Sequence, residues 1–73
     1  MRMDKELRLK IGAEIRAYRT ARGLTTRQLG EMCCLAHSHI VRIENGKYNL
    51  RIDTLEAIAR ALGVELVLRE PQQ

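Results

Sequence analysis

Four side chains able to ligate a soft metal fall within seven residues, Cys33, Cys34, His37 and His39, so zinc binding is the first chemistry to weigh. A zinc site normally spaces its cysteine pair by two or more residues, so that both sulfurs can turn to one ion. Adjacent helical side chains diverge instead. Cys33 therefore reads as a small core residue and Cys34 as a turn residue, and no metal is expected. His37 beside Ser38 invites a base and its nucleophile, but successive helical residues point in different directions. The chain offers no glycine-rich phosphate cradle, spaced carboxylate pair or nucleophile with base and orienting acid. Its 73 residues leave little room for an enclosed pocket. An enzyme is not expected, and no cofactor is implied.

What remains is basic chemistry. Thirteen Lys and Arg against nine Asp and Glu give a formal charge of +4. The first 22 residues hold seven of the basic groups and three of the acidic ones. Such a field suits a polyanion. Aromatics are 3% of the chain, Tyr18 and Tyr48 alone, too few to stack the bases of a single strand. A membrane partner is not expected either, because the apolar face of the basic first segment is needed to cover the rest of the domain. The longest apolar run, Met32 to Ala36, is far below the ~18 residues of a membrane span. The charged N-terminus does not resemble a secretory signal, and adjacent cysteines cannot staple distant segments. A cytoplasmic protein is expected. At 45% hydrophobic and 30% charged, the sequence is too apolar for a disordered tail and long enough for one small domain.

The elements that would position these groups follow from periodicity and caps. Leu7, Ile11, Ile15 and Tyr18 make one stripe on a helix from about Lys5 to Ala21, ringed by Arg8, Arg16, Arg19 and Arg22 and ended by Gly23. Thr25 and Gln28 form a capping box, with Leu24 and Leu29 as its staple, so a second helix starts at Thr26 and runs to Cys33 or Cys34. A third, phased by Ile40 and Ile43, runs from about His37 to Glu44 and stops at Asn45-Gly46. Two short helices joined by about three residues are a helix-turn-helix unit. Ile52, Leu55, Ile58, Ala59 and Leu62 predict a fourth helix over about Ile52 to Leu62, closed by Gly63. Val64 to Leu68 reads as a strand. A lone strand needs a partner for its backbone groups, which points to the same strand of a second subunit.

From Ile11 to about Leu68 the chain resembles the XRE or Cro/CI-type helix-turn-helix family of bacterial and phage transcriptional regulators. The resemblance rests on the Leu24 to Leu29 opening, on Ile40-x-x-Ile43-Glu44-x-Gly46, and on Leu55-x-x-Ile58-Ala59-x-Ala61-Leu62-Gly63, in that order and spacing. It implies an all-α, lambda repressor-like bundle of four to five helices over residues 1–63. Residues 64–73 are expected to serve as a tail for dimerisation through Val64, Leu66, Val67 and Leu68. The tail also looks like the end of HipB-like antitoxins. Three positions depart from the family pattern: Thr26 stands where Gln is usual, Cys34 where Gly is usual in the turn, and Ala36 where Ser or Thr often caps the third helix.

Family roles carried over position by position place His37, Ser38 and Arg42 on the face that reads base edges in the major groove of duplex DNA. Arg42 could pair with guanine or grip a phosphate. Thr26 and Arg27 at a helix start, His39 at the rim, and Lys47, Asn49 and Arg51 around the following loop would meet phosphates. In the family an Arg like Arg19 pairs with a Glu like Glu44 to brace the reading helix; the bland alternative is two independent surface charges. The implied function is a repressor that binds a palindromic operator as a homodimer. The alternative is an antitoxin that binds a protein toxin and regulates its own operon.

Overall fold

Each expected helix forms between the expected residues in the computed structural model, which describes residues 3–67. The order is α1 (Lys5–Ala21), α2 (Thr26–Cys33), α3 (His37–Glu44) and α4 (Ile52–Leu62). Caps set the starts of the first two. The Asp4 carboxylate accepts from the Leu7 N–H at 2.8 Å. The capping box is complete: the Gln28 N–H donates to Thr25 Oγ1 at 3.0 Å, and the Thr25 N–H donates to Gln28 Oε1 at 2.8 Å. Ala36 and Arg51, which precede α3 and α4, supply no side-chain cap.

All four helices end in the same way. A residue in the left-handed region donates back to the carbonyl three residues earlier, and its successor donates to the carbonyl five residues before itself. The left-handed residue is Gly23, Gly46 or Gly63 in three cases and Cys34, at φ 60°, in the fourth. A side chain there meets the following carbonyl, so the α2–α3 turn carries strain that the other three avoid.

The core joins all four helices through Ile15, Leu29, Ile40, Ile43, Ile58 and Leu62, with Leu24 and Cys33 packed against it. Two glycines let the backbones close up. A Cβ on Gly12 would stand 2.5 Å from the Ile43 carbonyl oxygen and 2.6 Å from that of Glu44, so α1 presses on the end of α3. A Cβ on Gly30 would stand 2.5 Å from the Leu35 carbonyl oxygen, which holds the turn against α2.

Two expectations are corrected. Residues 64–67 form no strand. A strand exists only as a paired structure, and no other described segment is available to pair with it. The Val64 N–H instead closes α4 on the Ala59 carbonyl at 2.9 Å, and its side chain packs against the core. Leu68 lies outside the described residues. The apolar stripe of α1 is also only partly covered. Ile11 and Ile15 meet the core, whereas Leu7 and Tyr18 stay largely exposed and Ile52 on α4 keeps 75% of its surface. Between them runs a groove of about 720 Å³.

Candidate nucleic-acid interface

The sequence of α3, His-Ser-His-Ile-Val-Arg-Ile-Glu, divides its two turns between two environments. Ile40 and Ile43 are buried, and His39, Val41 and Glu44 half-buried; His37, Ser38 and Arg42 are exposed. Ser38 and Arg42 stand one turn apart on the same row. The structure thus brings the three expected base-reading residues together on the outer side of α3.

What holds that side outward is the ion pair at the other end of the helix. Arg19 Nε donates to Glu44 Oε2 at 2.6 Å and Nη2 donates to Oε1 at 3.0 Å, while Nη1 donates to the Leu24 carbonyl at 2.8 Å. The two side chains keep 12% and 6% of their surface. This excludes independent surface charges: it is a two-pronged, largely enclosed pair that ties α1, the α1–α2 turn and α3 together. The Glu44 hydrogen bond raises the Arg19 pKa, its charge adds to that rise, and burial opposes both.

The expected phosphate contacts frame α3. Thr26 and exposed Arg27 open α2, and exposed Lys47, Asn49 and Arg51 lie in the α3–α4 loop or just after it. Arg51 also faces Asp53 at 3.5 Å, both open to solvent. His39 is set against Tyr48, ring edge to face, with centroids 4.4 Å apart. Asn49 is partly committed within the chain: its Oδ1 accepts from the Met3 N–H at 3.2 Å and lies 3.5 Å from Arg8 Nη1.

The four possible metal ligands do not converge. Cys33 turns inward, its sulfur 4.0 Å from the Ala57 carbonyl oxygen, and burial, with Cys34 adding to it, pushes its thiol pKa up. Cys34 is exposed at the turn. No cluster of three His, Cys, Asp or Glu side chains able to hold an ion occurs among the described residues. Nor is any helix among them long and apolar enough to cross a membrane.

Sequence reasoning missed Arg8 and Met3, which hold the α3–α4 loop, and the close approaches at Gly12 and Gly30. The glycines did leave a signal. A glycine inside a helix sacrifices stability, so two of them mark places where backbones touch.

Comparisons with known proteins bear on the family and the fold. A family model described as helix-turn-helix matches residues 15–68. The chain is 41% identical over 58 residues to the immunity repressor protein of Bacillus phage phi105, a match that covers 80% of this chain and 40% of the phage protein. It is 33% identical over 64 residues to the control protein C.BamHI of Bacillus amyloliquefaciens, covering 86% and 79% of the two chains. Among solved structures, the restriction-modification controller protein C.AhdI from Aeromonas hydrophila matches with a TM-score of 0.76 at 32% identity, over 78% of this chain and 83% of that one.

Proposed function

The chain belongs to the helix-turn-helix family of DNA-binding transcription regulators, and from that premise we propose that it is a repressor binding a palindromic duplex operator as a homodimer. The observation that carries this reading is the division of α3. Its inner side is fixed by Ile40, Ile43 and the Arg19–Glu44 pair, and its outer side presents His37, Ser38 and Arg42. A helix held in that way can lie in the major groove with its first turn at the base edges. Arg42 offers the planar fork that matches guanine O6 and N7. Thr26, Arg27, His39, Lys47, Asn49 and Arg51 would grip phosphates on either side.

A second copy of the chain would dock on the α1–α4 groove and not by strand pairing. The groove is lined by apolar Leu7, Ile11, Tyr18, Ile52, Leu55 and Leu66. Lys10, Glu14 and Glu65 also line it, so a two-fold axis can set unlike charges opposite one another. Leu66 and Val67, both in its lining, remain 44% and 64% exposed, available for such an interface. The two reading helices would then sit about one DNA turn apart, ~34 Å.

The antitoxin alternative has lost its motivation, because the tail strand that suggested it is absent over residues 64–67. The relatives above are named as an immunity repressor, a control protein and a restriction-modification controller protein.

Selection of bound duplexes from a random pool tests the reading, with stoichiometry and salt dependence measured on the winner. A dimer that neutralises about six phosphates gives a log–log salt slope near −5. A slope near zero, or no enrichment of any sequence, would refute it.

A further inference from the structure

We propose that Arg8 is a positioning residue for DNA binding, the centre of a clasp through which the N-terminal segment holds the phosphate-gripping loop in its bound shape; the proposal rests on the DNA-binding reading above. The loop from Asn45 to Arg51 carries Lys47, Asn49 and Arg51 and has no secondary structure of its own beyond a turn. Arg8 reaches it from the second turn of α1. Its Nε donates to the Gly46 carbonyl at 3.0 Å, its Nη1 donates to the Met3 carbonyl at 2.7 Å, and the same Nη1 lies 3.5 Å from Asn49 Oδ1. Residues separated by 38 and 41 positions are thereby joined through one guanidinium.

Met3 completes the clasp. Its N–H donates to Asn49 Oδ1 at 3.2 Å, and its sulfur lies 3.3 Å from the Leu50 nitrogen, whose N–H points to it. Leu9 supports the loop from beneath: a Cβ on Gly46 would meet its Cδ2 at 2.7 Å. On the other side the Lys47 N–H is tied to the Arg42 carbonyl at 3.0 Å. Residues 46 to 50 are thus held between the start of α1 and the end of α3.

A loop ordered before DNA arrives loses less conformational freedom on binding. Arg8 accomplishes this with its Nε and Nη1 donors committed to protein acceptors. Lysine cannot replace it, because an ammonium is a point charge without a planar fork.

The test compares wild type, Arg8→Lys and Arg8→Ala on the duplex that wild type selects from a random pool, with affinity measured over a salt series. Amide hydrogen exchange at Lys47 and Leu50 is followed in the free proteins. Both variants should bind about tenfold more weakly, a ratio equal to ~1.4 kcal/mol, with the salt slope of wild type. Their Leu50 amide should exchange faster. Unchanged affinity and exchange in Arg8→Lys would overturn the clasp. So would a normal Arg8→Lys with a slope shallower by about one in Arg8→Ala, since Arg8 would then be a phosphate contact itself. Lowered stability with no change in affinity or Leu50 exchange would leave Arg8 merely structural and would also overturn it. If wild type shows no salt-dependent duplex binding, the DNA-binding reading fails and takes this proposal with it. Normal wild-type binding with unaltered variants sinks the clasp alone.

Discussion

Replacing Glu44 by alanine removes the acceptor for two of the three hydrogen bonds that Arg19 donates, at 2.6 and 3.0 Å, and leaves only the bond to the Leu24 carbonyl. The guanidinium keeps 12% of its surface, so water cannot fully replace the lost carboxylate. Breaking a buried pair from one side costs about 3–5 kcal/mol. The surviving bond and the partial exposure place this case at the lower end, ~3 kcal/mol. A chain of this length typically holds about 4–11 kcal/mol of stability in all, so the loss should shift the urea midpoint far down with little change in slope. Replacing both partners, Arg19→Met with Glu44→Leu, should recover most of the loss, because no charge is then stranded. The pH dependence is also fixed in sign. The Arg19 pKa is raised above its ordinary value, so its contribution is fully present below the unfolded pKa and is lost only as pH rises through the folded one, in strongly alkaline solution. A loss under about 0.5 kcal/mol for Glu44→Ala, the level of an exposed pair, would refute the idea that this pair braces α3.

Cys34→Gly should raise stability by about 0.5–1 kcal/mol in the same urea assay. It relieves the left-handed strain at φ 60°, partly offset by the greater freedom of glycine in the unfolded chain. Ala36→Ser should add about 1 kcal/mol, because the extended backbone before α3 suits a cap that alanine cannot supply; no gain would mean that the serine hydroxyl does not reach the first-turn amides. Gly12→Ala should cost about 2 kcal/mol or more, since the new methyl meets rigid backbone oxygens of Ile43 and Glu44, and a neutral effect by thermal melting would contradict the close approach of α1 to α3. Ile52→Glu, at a site 75% exposed, should leave the melting temperature of the monomer nearly unchanged while sedimentation shows the dimer weakened; an unaltered dimer would remove the α1–α4 groove as the interface.

How much was legible in the sequence depended on how local the cause was. Helix limits are set by neighbours in the chain: Thr25 with Gln28, Gly23, Gly46 and Gly63 announce starts and stops within three or four residues. The choice of His37, Ser38 and Arg42 as base readers came through resemblance to a family; what the local pattern adds is that Ile40 and Ile43 are buried and leave those three exposed. Cys34 stood out only through the family resemblance, as the residue where glycine is usual in the turn. The Arg19–Glu44 pair spans 25 positions and was reached only through resemblance to a family. Nothing in the spacing of two charges tells a bidentate buried pair from a solvated one.

The errors have the opposite origin. Alternation and branching at Val64 to Leu68 describe the preference of a segment, whereas a strand requires a second segment, and none is present in the described chain. The same missing surface leaves Leu7, Tyr18, Ile52, Leu66 and Val67 uncovered. These are five of the seven large apolar side chains exposed among the described residues, a heavy loss for a domain this small, which buries only ~60% of its unfolded surface. A second copy covering them, as proposed above, would stabilise the domain and at the same time fix two α3 helices in one spacing, so that dimerisation and operator choice would become a single physical event. Ile52→Glu should therefore lower affinity for the selected palindrome far more than for one isolated half-site, and equal losses on both duplexes would show that the groove has no part in recognition.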